Sequence, residues 1–74
     1  MVDKYLELYK RVGSNLRRER KDAKLTQIQL SKRTTKLDAS KISDIENAKE
    51  DFMFSTLLEL ANGLGVDVEK LIKQ

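Results

Sequence analysis

Apolar residues recur along this 74-residue chain at steps of three and four, so the pattern predicts an all-helical fold and gives strands little support. Tyr5, Tyr9, Val12 and Leu16 step by 4, 3 and 4 and point on toward Arg20 and Ala23, a first helical stripe whose middle Gly13 is expected to loosen or bend. Residues 1–11 read as an N-terminal helical extension of a single domain covering 1–74.

A second helix is predicted over about 26–33. Thr26 can cap the free amide of Gln29, whose side chain reaches back to the Thr26 amide. The segment Thr34-Thr35-Lys36-Leu37 reads as a turn with one apolar anchor. Asp38 then caps a third helix, about 38–47, in which Ile42 and Ile45 face the core with Leu37. Polar Asn47-Ala48-Lys49-Glu50-Asp51 reads as a loop. Phe54, Leu57, Leu58, Leu60, Ala61 and Leu64 follow as the most apolar helix, closed by Gly63 or Gly65. Its aromatic and leucine stripe is read as core, but Phe52, Met53 and Phe54 cannot all face one core, so at least one is expected to be exposed or covered by a partner. A last short helix, with Asp67 as cap, turns Val68, Leu71 and Ile72 to one side.

Composition narrows the functions this fold can carry. There is no Cys and no His, which removes disulfides, zinc-finger spacing, thiolate nucleophiles and imidazole chemistry together. The acidic pair Glu50-Asp51 lies in no recognisable pocket or glycine loop, so no enzyme, metal or cofactor is expected. No apolar run approaches the roughly 20 residues of a membrane span, and no signal-peptide core follows Met1, so a cytoplasmic location is expected. The net charge of +3 is unevenly placed. Residues 1–36 hold 11 basic and 4 acidic side chains, net +7, against 4 basic and 8 acidic in 37–74, net −4. A positive face for a polyanion is therefore expected. A domain this small buries only about 60% of its unfolded surface, which favours self-association.

Two short helices joined by a tight turn, the first opening with Thr26-Gln27 and the second with small polar residues, form a helix-turn-helix signal. Val12-Gly13-x-x-Leu16-Arg17-x-x-Arg20, Leu25-Thr26-Gln27-x-x-Leu30, Ile42-Ser43-x-Ile45-Glu46-Asn47 and Thr56-Leu57-Leu58-x-Leu60-Ala61-x-x-Leu64-Gly65-Val66 follow in order, and Leu71 completes the series. This order resembles the phage-repressor type (Cro- and cI-like) helix-turn-helix family over about residues 12–72. The resemblance implies a compact five-helix, lambda-repressor-like domain that binds operator DNA as a homodimer and regulates transcription. Free-standing proteins of this size in the family include phage repressors and restriction-modification controllers. An antitoxin or anti-repressor that binds protein on the same fold is the alternative.

The same resemblance implies roles for individual residues. Gln27 would donate to a phosphate, with Asn47 and Lys49 gripping the other side of the groove. Ala39, Ser40, Lys41 and Asp44 would meet base edges. Arg17 and Lys36 are assigned to the same DNA-binding surface. Arg20 and Glu46 look like the family's internal ion pair. Phe52, Leu64, Val66, Val68, Leu71 and Ile72 would pair two subunits. Neither a small-molecule substrate nor a membrane partner is implied.

Three departures from the family pattern carry expectations of their own. The stretch from Leu30 to Ile42 is one residue longer than usual, with no glycine in the turn. Lys24 and Ala48 stand where the family has glycines. Either these residues take positive φ, at about 1 kcal/mol or more, or the loops differ. Asp44 must accept from a cytosine amino group or turn away from phosphates.

Overall fold

A 3-10 turn over Asp3–Tyr5 leads directly into α1, Leu6–Asp22, in the computed structural model, which describes residues 3–73. After α1 come α2 (Gln27–Ser31), α3 (Ala39–Glu46), α4 (Phe54–Leu64) and α5 (Glu69–Ile72). No strand occurs among the described residues. The expected N-terminal extension is thus the opening of α1 itself, with Met1 and Val2 outside the described residues.

The core draws on every helix: Val12 and Leu16 of α1, Leu30 of α2, Ile42 and Ile45 of α3, Leu57, Leu60, Ala61 and Leu64 of α4, and Leu71 of α5. α1 lies against α3 and α5, and α2 lies against α3 and α4. Removing these side chains from water supplies the main drive for folding.

Gly13 has a different role from the expected loosening. α1 continues unbroken through it, and a Cβ there would lie 2.5 Å from the Ile45 carbonyl oxygen and 2.6 Å from that of Glu46. The C-terminal carbonyls of α3 therefore rest directly on α1, and only a residue without a side chain admits them.

α2 stops at Ser31, short of Arg33. The amides of Arg33 and Thr34 bond to the carbonyls of Leu30 and Ser31, and the Thr34 hydroxyl donates to Ser31 O at 2.7 Å. Such i to i+3 bonds tighten and close a helix. α4 ends at Gly65, whose φ of 71° turns the chain so that Val66 N and Gly65 N bond back to Ala61 O and Asn62 O. Asp67 makes no side-chain cap; Val68 occupies the N-cap of α5, and Asp67 contributes only its carbonyl, to Lys70 N.

The other end of α5 is held by a residue not singled out from sequence. Asn15, buried on α1, donates from Nδ2 to Leu71 O at 3.2 Å and also to Lys73 O. It thereby satisfies carbonyls that a helix C-terminus leaves without partners.

Candidate nucleic-acid interface

Both helices of the α2–α3 pair start on caps of their own. Thr26 Oγ1 accepts from Gln29 N at 3.0 Å while Gln29 Oε1 accepts from Thr26 N at 2.9 Å, the full capping box. Asp38 Oδ1 accepts from Lys41 N at 2.8 Å. The intervening turn is tied to α4 by Thr35 N, which donates to Glu59 Oε1 at 2.8 Å. The two glycine-like positions keep glycine-like backbones with other residues on them: φ is 60° at Lys24 and 53° at Ala48. Lys24 turns the chain from α1 into α2, and Ala48 turns it out of α3.

Glu46, almost fully buried, is the hub beneath this pair. Arg20 donates to it from Nε at 2.7 Å and from Nη2 at 3.0 Å, and donates from Nη1 to Leu25 O at 2.9 Å. One guanidinium thus fixes the end of α3 and the entry to α2 relative to α1. The Glu46 carboxylate holds the Arg20 pKa above its ordinary value, chiefly through these hydrogen bonds. Gln27 joins the hub from α2, donating from Nε2 to Glu46 Oε1 at 3.2 Å. An amide nitrogen has two hydrogens, so this bond orients Gln27 and leaves a second donor on the same atom.

With Ile42 and Ile45 in the core and Glu46 buried, the outer side of α3 carries Ser40, Ser43, Asp44 and Asn47, at i, i+3, i+4 and i+7. Ser43 was not among the sequence candidates; its place three residues after Ser40 on a helix is the signal that points to it. Ser40 and Asn47 are exposed, Asp44 and Ala39 half-buried. Asn47 turns its amide back, donating from Nδ2 to Ser43 O at 2.9 Å. Lys49, Arg17 and Lys36 are exposed.

Lys41 sits differently from its expected base-reading position. Its Nζ lies 2.6 Å from Glu50 Oε1 and 3.2 Å from Asp51 O, so the side chain is drawn to the α3–α4 loop. That loop is held from behind by α1. Tyr9 donates its hydroxyl to Asp51 Oδ1, and its ring meets Phe52 edge-on with centroids 5.2 Å apart. The bond from Tyr9, with another from Phe52 N, keeps the Asp51 carboxyl below its ordinary range, and the same bond raises the Tyr9 pKa.

Of the residues assigned to subunit pairing, Leu64 and Leu71 belong to the protomer's own core and cannot reach a partner. Phe52, Val66 and Val68 are half-buried against that core, and Ile72 is exposed. The exposed apolar residues of α4 and its approach are instead Met53, Phe54 and Leu58, at 72%, 59% and 46% exposure. Met53 and Phe54 are both exposed, as expected of at least one residue in the run Phe52-Met53-Phe54, whereas Leu58, expected in the core, stays outside it because Leu57, Leu60, Ala61 and Leu64 already complete one stripe. Met53 and Leu58 line one shallow groove with Leu37. No group of three or more His, Cys, Asp or Glu side chains suited to a metal occurs among the described residues.

The sequence pattern of a family described as a helix-turn-helix domain matches residues 13–74. The chain belongs to this helix-turn-helix family. No curated protein and no solved structure matches it. The helix-turn-helix match begins at Gly13, the point where α3 rests on α1, and takes in the Arg20–Glu46 hub and the α2–α3 pair. The helix-turn-helix domain here has no helix, among its described residues, long and apolar enough to cross a membrane. Tyr5, Leu8 and Tyr9 precede the matched stretch, so the brace from Tyr9 to the α3–α4 loop joins an element outside it to one inside.

Proposed function

We propose that this protein is a sequence-specific DNA-binding transcriptional regulator that places α3 in the major groove of operator DNA. The observation that carries this reading is the polar outer side of α3, Ser40 to Asn47, on a helix whose other side is locked into the core and the Glu46 hub. A B-DNA major groove admits one helix, and small polar side chains let the helix backbone come close to base edges. Gln27 at the start of α2 and Lys49 beyond α3 flank that helix as phosphate contacts. The protein works by binding, in the cytoplasm, with no catalytic step.

In this reading it acts as a homodimer on two half-sites, since few base contacts per protomer discriminate poorly and two-fold repetition multiplies them. Met53, Phe54 and Leu58, together with Ile72, are among the exposed apolar residues available to pair protomers. Occupancy of its own promoter, set by protein concentration and dimerisation, makes it autoregulatory, as a restriction-modification controller or a phage-type repressor.

The test is binding to the DNA upstream of its own gene against scrambled DNA over roughly 50–200 mM salt, with sedimentation in parallel. A preference of about a thousandfold for a two-fold site, bound by a dimer, supports the reading. Equal, weak binding to both DNAs that vanishes as salt rises overturns it and favours a protein-binding module.

A further inference from the structure

Asp44 is a carboxylate on the outer side of α3 with neither an ion pair nor a side-chain hydrogen bond among the described residues. Its natural partner is close at hand. Lys41 lies three residues earlier on the same helix, a spacing at which opposite charges ordinarily pair. Here Glu50 takes that cation, at 2.6 Å, with a second bond from Lys41 to Asp51 O. The α3–α4 loop that carries Glu50 is in turn fixed to α1 through Tyr9 and Phe52. The ammonium that would neutralise Asp44 is therefore held away from it by a braced competitor.

A bare carboxylate brought to a polyanion is repelled unless an oxygen meets a donor. In the major groove the exocyclic donors are the N4 amine of cytosine and the N6 amine of adenine. Adenine presents its N7 acceptor beside that donor, and guanine presents two acceptors. A carboxylate, which only accepts, faces a repelling neighbour at adenine and none on the cytosine base. We infer that Asp44 is a specificity-determining residue that selects cytosine in each half-site, and that Glu50 is a positioning residue that keeps Asp44 free by holding Lys41. The inference rests on the DNA-binding reading above. It adds that one position of the operator is chosen largely by penalty, guanine and thymine leaving Asp44 charged and without a donor and adenine setting its N7 acceptor against the carboxylate.

Selection from random double-stranded DNA, followed by affinity measurement on single-base variants of the selected site, tests this with the full chain. The native protein should enrich a half-site with one cytosine whose replacement weakens binding roughly tenfold. Asp44→Ala should lose that preference alone while binding non-specific DNA more tightly, and Asp44→Asn should move it toward adenine. Glu50→Gln, by releasing Lys41, should weaken the same preference and leave the rest of the site unchanged. An enriched site that Asp44→Ala leaves unaltered overturns the inference while the DNA-binding reading stands. A cytosine preference that is lost in Asp44→Ala but kept in full by Glu50→Gln overturns the role of Glu50. Failure of the native protein to enrich any site overturns the reading itself, and the inference with it.

Discussion

Glu46 accepts from both Nε and Nη2 of Arg20, at 2.7 and 3.0 Å, with the two side chains only 2% and 10% exposed. Removing one partner leaves the other charge buried without its counter-ion. Glu46→Ala or Arg20→Ala is expected to cost about 3–5 kcal/mol in urea unfolding. Replacing both by apolar residues of similar size, Arg20→Met with Glu46→Leu, should recover much of that loss.

Gly13→Ala should destabilise the protein although alanine is the better helix former. The propensity gain is about 1 kcal/mol. Against it, the new methyl would need the α3 carbonyls of Ile45 and Glu46 to retreat from 2.5 and 2.6 Å, and backbone cannot move as a flexible side chain does. A net loss of roughly 1–2 kcal/mol is expected in thermal or urea unfolding, within the range of overpacked cores.

Lys24→Gly and Ala48→Gly should act in the opposite direction. Their φ values of 60° and 53° bring Cβ against the following carbonyl. Glycine removes that strain at the cost of some unfolded-state entropy. Each change should raise stability by up to about 1 kcal/mol, read as a higher melting temperature, and the two should add because the sites turn different loops.

The bond between Tyr9 and Asp51 makes stability depend on pH at both ends. Asp51 is depressed below its unfolded value of 3.8, so its contribution is present above that pH and is lost as pH falls through the lower folded-state value. Tyr9 is raised above its unfolded value of 10.0, so the bond contributes below that pH and is lost as pH rises through the higher folded-state value. Tyr9→Phe should therefore be less stable than the native protein near neutrality, and the gap should close on strong acidification and again in strong alkali. A gap constant with pH would contradict this.

DNA binding, as proposed, should separate Lys49 from Gln27. Lys49→Ala should weaken binding to all sequences and lower the slope of log affinity against log salt by about 1. Gln27→Ala should weaken it without changing the slope, because a neutral amide releases no counter-ion.

Local chemistry was the legible part of this molecule. The Thr26–Gln29 box and the Asp38 cap depend on residues three apart, whereas Lys24 and Ala48 were marked only by the glycines of the resembled family, which left positive φ and an altered loop as alternatives. Contacts between distant segments were not legible. Nothing in Gly13 alone tells a loosened helix from a helix crossed by another, and Asn15 meets its carbonyls 56 and 58 residues away. Asn15 does leave a trace, a polar residue set three beyond Val12 and beside Leu16. Periodicity likewise marks Leu58, Leu64 and Leu71 as equally apolar, but only packing decides that the first is exposed and the other two buried. At the interface Ser40, Asp44 and Asn47 were legible from the sequence and Ser43 was passed over, whereas the capture of Lys41 by Glu50 required the fold of the loop between them.

The capping of α2 and α3 by their own Thr26 and Asp38 has a kinetic consequence. Neither helix waits for a ligand to complete its first turn, so association should involve two preformed surfaces rather than a coil that folds as it lands. Encounter with a target should then be limited by diffusion and orientation, with little ordering entropy to recover and no slow conformational phase after contact.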